Sequence, residues 1–301
     1  MRLLTRSDFD GLACGALLEY LGIIDDYKFV HPKDIQDGLV EATSNDILAN
    51  IPYIEGCKLW FDHHYSESER LGKDVYFEGV SRVAPSCARV IYDYYDGAHK
   101  LSRFNEMLTY VDKVDSGDLT KEEILKPFGW ILLGFIMDPR TGLGRFRNFT
   151  VSNYELMKML AKACVDKSID EILAMSDVQE RLEVYYEQTD AFKGMIKKYA
   201  KTEGNAVVVD LRGVETIHAG NRFLIYTLFP EQNISVWVID GKNKQNAAIT
   251  VGYSIINQTA HVNVGSLLLS YGGGGHVQVG TCQADYADAD RVLREIVDTI
   301  K

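Results

Sequence analysis

Three consecutive residues, Asp62-His63-His64, follow the apolar run Leu59-Trp60-Phe61 and precede the polar Tyr65-Ser66-Glu67. The pattern predicts a buried strand that ends in a carboxylate and two imidazoles. In an open α/β sheet the carboxyl edge of the strands is where ligands bind. Imidazole and carboxylate together suit Mn²⁺, Fe²⁺ or Zn²⁺. The competing reading is a strand end whose polar residues cap the following segment, and these three residues alone do not decide between the two.

A second polar pair opens the chain. Arg2-Leu3-Leu4-Thr5 reads as a short strand, Arg6-Ser7-Asp8-Phe9-Asp10-Gly11 as a turn, and Leu12–Leu21 as an apolar-rich helix. Asp8 and Asp10 stand two apart in an extended turn, so both carboxylates can face one side, and Gly11 lets the backbone bend into the helix. A single aspartate would be accounted for as an N-cap. Two on the same sheet edge as Asp62-His63-His64 fit a cation better. Thr43-Ser44-Asn45-Asp46, after Leu39-Val40, predicts another acidic strand end at Asp46. Asp112-Lys113-Val114-Asp115-Ser116-Gly117 closes a helix that begins near Leu101. Asp115 would be the last corner of a carboxylate cluster, with Asp112 the alternative on the same turn.

The order Asp8-Phe9-Asp10-Gly11, a lone Asp46, Asp62-His63-His64 and Asp115-Ser116-Gly117 resembles the DHH phosphoesterase superfamily, which includes RecJ-type nucleases, nanoRNases, family II pyrophosphatases and some exopolyphosphatases. Downstream, Tyr271-Gly272-Gly273-Gly274-Gly275-His276 resembles the glycine-histidine signature of the companion DHHA1 domain. The stretches around Thr5–Gly11, His31–Gly38, Asp46–Tyr53 and Phe61–Glu67 are most similar to the subgroup labelled exopolyphosphatase-related.

That resemblance implies two divalent ions, Mn²⁺ first among candidates, held by Asp8, Asp10, Asp46, His63 and Asp115, with Asp46 bridging them. It casts Asp62 as the group that orients an imidazole, and His64 as a catalytic phosphate contact or proton donor. Water shared by the ions would attack phosphorus in line. In the DHHA1 part, Gly273, Gly274, Gly275 and His276 would bind substrate through backbone N–H groups and an imidazole. Arg222 is a further candidate, because its fork can engage two phosphate oxygens. Two departures stand out. Many members carry a metal-binding His just before the first Asp, where this chain has Leu4 and Arg6; His31 is the nearest replacement by sequence. Related DHHA1 domains carry a Ser-x-Arg where this chain has Ser254-Ile255-Ile256-Asn257.

The elements that must position these residues follow from periodicity. From Met1 to about residue 150, short apolar runs alternate with helical patterns, which predicts βαβ units around a parallel sheet. Helices are expected at Leu12–Leu21, Ser86–Tyr95, Leu101–Val111 and near Ile131–Met137. Residues 151–202 read as a helical connector. A smaller C-terminal α/β domain over 203–301 is expected, with strands near Ala206–Val209, Ile234–Ile239 and Ala247–Val251 and a closing helix over Asp288–Ile300. The fold class is therefore α/β: an N-terminal DHH domain over 1–150, the connector, and a DHHA1 domain.

Composition narrows the partners. The chain has 301 residues and a net charge of −11, with no overall basic footprint of the kind that grips long nucleic acid. A local basic run, Arg140, Arg145 and Arg147, is either a solvated loop or a rim that steers an anion. Five scattered cysteines without a CxxC pair fit reduced thiols packed in a core. No apolar run is long enough to span a bilayer and no secretory h-region opens the chain, so a cytoplasmic enzyme is expected, possible as a homodimer. The expected substrate is a small phosphate-bearing molecule, first a short linear oligoribonucleotide or dinucleotide. Inorganic polyphosphate is the second choice. A nucleotide sensor with a decayed metal site is the third.

Overall fold

The computed structural model describes residues 1–71, 75–241 and 244–301. The chain divides into two compact units, the first comprising Met1–His64 and Leu71–Glu187, the second Tyr65–Arg70 and Gln188–Lys301.

The first unit is built on a five-stranded sheet of strands β1 (Arg2–Thr5), β2 (Asp26–Phe29), β3 (Asp46–Ala49), β4 (Leu59–Asp62) and β5 (Gly79–Ser81), in the order β2-β1-β3-β4-β5. Every pairing is parallel. Leu3, Leu4, Ile47, Leu48, Trp60 and Phe61 are fully or almost fully buried, as expected of strands covered on both faces. All carboxyl ends therefore lie along one edge. The order reverses between β1 and β3, which is the topological switch point where open α/β sheets place ligands. Helices Phe9–Tyr20, Cys87–Tyr94, Asn105–Ser116 and Gly129–Met137 fall close to the expected ones. No helix among the described residues is long and apolar enough to cross a membrane.

The helical stretch expected as a connector is divided differently. Helices Asn153–Asp166 and Ile169–Leu173 belong to the first unit. The tie is local chemistry: the Tyr154 hydroxyl donates to the Tyr27 carbonyl at 2.9 Å, and the Tyr154 ring meets Phe29 edge-on. An amphipathic helix needs somewhere to bury its apolar side, and here Leu156, Met157 and Leu160 are buried completely.

The second unit carries a six-stranded sheet: β6 (Ala200–Glu203), β7 (Ala206–Asp210), β8 (Ile234–Asp240), β9 (Asn246–Tyr253), β10 (Gly274–Gly275) and β11 (Val279–Asp285). Its order is β10-β11-β9-β8-β7-β6, with only the β7–β8 pair parallel. Alternate residues of β8 and β9 (Val236, Val238, Ile249 and Val251) are buried, and helix Ala289–Ile300 adds Val292, Ile296 and Val297 to the same core. All five cysteines are free thiols, four of them buried and Cys57 half-buried.

Candidate metal centre

Asp8 and Asp10 are held where β1 turns into helix Phe9–Tyr20. Asp8 caps that helix, its Oδ1 accepting from the Gly11 N–H at 3.0 Å. The turn is so close that a Cβ on Gly11 would lie 2.1 Å from the Arg6 carbonyl oxygen, which restricts position 11 to glycine. Asp10 lies against the start of another helix. Its oxygens accept from the backbone N–H groups of Cys87 and Ala88, each at 2.8 Å. Free N–H groups at a helix start are natural anion partners, and they fix the carboxylate in place.

His63 follows β4. Its Nδ1 lies 3.1 Å from the Ala84 carbonyl, which requires that nitrogen to carry the proton in the neutral ring. The Nε2 lone pair then faces Asp10 Oδ2 at 3.5 Å and Asp115 Oδ2 at 3.3 Å. Among the described residues of the first unit, ligand atoms of Asp10, His63 and Asp115 all lie within 4.8 Å of one another. Three lone-pair atoms converging in a buried place repel one another unless a proton or a cation lies between them. Without a cation the cluster must hold protons. Burial, then Asp115, pushes Asp10 up to about 7, and His63 is raised by Asp115 and Asp10 although burial alone would lower it. The donor set of two carboxylates and one imidazole, with the second imidazole nitrogen tied to a carbonyl, fits a divalent ion.

Helix Asn105–Ser116 shows why Asp115 and not Asp112 joins this group. Asp112 accepts from the Ser86 hydroxyl at 2.7 Å and from both Nε and Nη2 of Arg89, at 2.9 and 2.7 Å. One helical turn on, Asp115 faces His63.

Asp62 is completely buried and lies 2.8 Å from Nδ1 of His64, whose side chain is 17% exposed. Burial pushes the Asp62 carboxyl up to about 7, while burial, His63 and Arg6 hold the His64 imidazole well below its ordinary value. The ring is thereby fixed by Asp62 and neutral at physiological pH.

Asp46 is elsewhere. It begins β3 instead of following a strand, and it pairs with Arg2 at the amino edge of the sheet. Arg2 donates to both its oxygens, at 2.7 and 3.1 Å, and the Thr43 N–H and hydroxyl complete the set at 2.7 and 2.8 Å. A carboxylate so engaged at the opposite edge is removed from the expected ligand set, and with it the expected bridge. At the carboxyl end of β3 stands Asn50, at φ 59°, whose amide donates to Asp8 Oδ1 at 3.1 Å. The signal in the sequence is the apolar run Ile47-Leu48-Ala49 ending in a polar residue.

His31 does not replace the missing histidine as a ligand: it caps helix Pro32–Gln36, its Nδ1 accepting from the Lys33 N–H at 3.1 Å. Arg6 instead lies on Asp8, Nε to Oδ2 at 3.1 Å. Arg140, read from sequence as part of a loop or rim, lines one cleft with Asp8, Asp10, Asp115 and Asp138. Its Nε is 2.8 Å from Asp138 Oδ1.

In the second unit the glycine run is largely structural. The N–H groups of Gly272, Gly273 and His276 donate to the carbonyls of Leu269, Leu268 and Val279, so these three are not free for an anion. Gly274 and Gly275 form β10, and a Cβ on Gly273 would lie 2.2 Å from the Thr281 carbonyl oxygen. The expected cradle of several free backbone N–H groups is corrected accordingly. His276 is half-buried, and the Arg222 guanidinium lies over the Phe223 ring at 4.1 Å. Ser254, buried, accepts from the N–H of Asn257 at 2.9 Å and closes a turn.

Among solved structures, the chain is similar to one described as the pGpG-specific phosphodiesterase PggH from Vibrio cholerae. Identity is 46%, with 99% of this chain and 98% of that chain covered and a TM-score of 0.76. The chain belongs to the DHH phosphoesterase superfamily. A structure described as the DHH domain of PF0399, a member of a family of ribosomal proteins, shares the fold at 12% identity, with a TM-score of 0.54 and coverage of 98% of this chain and 86% of that one. No family model matches the chain. No curated protein matches it. Membership supports hydrolysis of phosphoesters, and Asp10, His63 and Asp115 form, among the described residues, a group suited to hold a divalent ion.

Proposed function

We propose that the chain is a divalent-metal-dependent phosphodiesterase that hydrolyses a linear dinucleotide, with pGpG the first candidate, to mononucleotides. The observation that carries this reading is the 46% identity, over nearly the full length of both chains, to a pGpG-specific phosphodiesterase. Mn²⁺ is the first ion to test.

Asp10, His63 and Asp115 would hold the ion, His63 through the Nε2 that faces the two carboxylates while Nδ1 is committed to Ala84. A divalent ion bound there supplies a deprotonated water near neutral pH and positive charge for the phosphoryl oxygens. Asp62 fixes the ring of His64, so that its remaining nitrogen is presented in one orientation. In this reading His64 takes up a proton as the anionic substrate binds beside it, contacts the phosphate through that N–H and passes the proton to the leaving oxygen. His276 and Arg222 recognise the far end of the substrate, and the second unit is the substrate-binding domain. Likeness to an enzyme specific for a linear dinucleotide favours short linear substrates and a cytoplasmic role in clearing them.

Purified protein with Mn²⁺ is offered pGpG, pApA, a long single-stranded RNA and inorganic polyphosphate, and products are separated by chromatography. Mononucleotides from the dinucleotides, at rates at least ~100-fold above those for the long RNA and polyphosphate, support the assignment. Release of phosphate from polyphosphate as the fastest reaction overturns it, and binding of pGpG without turnover would restore the sensor.

A further inference from the structure

The carboxylates around the site divide into those held by a side-chain partner and those that share one imidazole. Asp138 is matched by Arg140 at 2.8 Å, and Asp8 by Arg6 at 3.1 Å. Asp62 is buried against His64. Asn50, where a strand end would offer a carboxylate, is neutral and already donates to Asp8. Asp10 and Asp115 remain, and they share one imidazole. Two carboxylates and a neutral histidine balance one divalent ion. A second ion would find no carboxylate among these groups without a side-chain partner of its own.

Asp8 already carries an ion pair and two hydrogen bonds. Oδ1 takes the Gly11 N–H and the Asn50 amide, and Oδ2 takes Arg6. A metal on Asp8 would compete with the Arg6 guanidinium for the same carboxylate. Arg6 meets Asp8 through Nε, and its side chain is 27% exposed. With Nε on Asp8, the guanidinium has two terminal nitrogens left to offer, a planar pair of donors that matches two phosphate oxygens.

We propose that the centre takes a single divalent ion, on Asp10, His63 and Asp115, and that the Arg6 guanidinium, anchored by Asp8, supplies the second positive charge by contacting the scissile phosphate. Arg6 is then a catalytic residue and Asp8 its positioning residue. The catalytic half rests on the hydrolase reading. The ion count does not.

Metal-free full-length protein is titrated with Mn²⁺ by calorimetry, bound metal is counted by elemental analysis, and low-temperature EPR distinguishes isolated from exchange-coupled ions. Wild type binds one Mn²⁺ per chain with an uncoupled signal. Asp8→Asn still binds one, with affinity within about threefold of wild type, while Asp10→Asn weakens binding by at least about tenfold. Arg6→Lys, which keeps the charge and guards against misfolding, binds one ion but loses at least about tenfold in kcat/KM on pGpG. Two coupled ions in wild type, or loss of the sole ion in Asp8→Asn, overturns the single-ion assignment. Unchanged turnover of Arg6→Lys overturns the role of Arg6. One bound ion with no hydrolysis of pGpG by wild type strikes the hydrolase reading and leaves the ion count standing.

Discussion

Asn50 donates its side-chain amide to Asp8 at 3.1 Å and so ties the end of β3 to the end of β1, across the point where the strand order reverses. The bond is buried, and Asn50 pays for it with a left-handed backbone at φ 59°. Asparagine tolerates that region better than other residues with a Cβ. Asn50→Ala loses both the bond and the tolerance. The expected cost is about 1–3 kcal/mol in urea denaturation. Asn50→Gly, which relieves the backbone only, should recover part of it. No loss in either variant would mean that the bond is incidental.

Asp62 and His64 are expected to act as a unit. His64→Ala should lower kcat on pGpG by roughly 10²–10⁴-fold, the usual range for a lost proton-transfer group. Asp62→Asn keeps the ring but alters the proton on Nδ1, and a loss of about 10–100-fold with KM nearly unchanged is expected. If both variants change KM alone, the pair contributes to binding and not to the chemical step.

The cluster also sets a pH dependence of stability. Asp10 and Asp62 are both pushed up to about 7 by burial, against an ordinary value of 3.8, so the folded protein holds protons there that the unfolded chain has lost. Stability of the metal-free protein therefore falls as pH rises from about 4 to about 7, and the raised His63 continues the fall above its ordinary value of 6.5. The depressed imidazoles of His64 and His31 oppose this below about 6.5, where they protonate in the unfolded chain. Metal needs the deprotonated cluster. Thermal denaturation should show the gain in Tm from saturating Mn²⁺ to be larger at about pH 8 than at about pH 6. An equal gain at both would mean that the ion does not displace protons from this group.

Recognition by the second unit makes a different demand on kinetics. If His276 and Arg222 grip the far end of the substrate, remote binding energy is used to position the scissile phosphate. His276→Ala and Arg222→Ala should each reduce kcat/KM on pGpG by at least about tenfold, on the order of 1.4 kcal/mol. A small chromogenic phosphodiester that reaches only the metal site should be hydrolysed almost as before. Equal losses on both substrates would assign these residues a structural role.

Much of this arrangement is legible in the residues themselves. Leu59-Trp60-Phe61 before Asp62-His63-His64 reads as a covered strand, and the parallel sheet then puts His63 and Asp10 on one edge. Asp46 misleads because a strand that begins with an aspartate looks, without register, like one that ends with it; Arg2 directly opposite settles the direction. Asn50 escapes a sequence reading because it carries no charge and no metal-ligand signature. Arg140 resembles a loop cation, and only the cleft it shares with Asp8, Asp10 and Asp115 gives it a place in the site. The glycine run attracts notice for its freedom, while the structure uses it for close approach, Gly275 pairing directly with Gly280. Spacing reports which residues can meet, and register decides which do.

The most direct test of the account is pGpG hydrolysis by metal-stripped protein, followed by chromatography before and after Mn²⁺ is restored, in wild type, His63→Ala and Asp115→Asn. The account predicts negligible turnover without metal, full recovery of wild type on its return, and a loss of at least about 10²-fold in both variants at saturating Mn²⁺. Turnover that survives metal removal, or variants that keep wild-type rates, would contradict it.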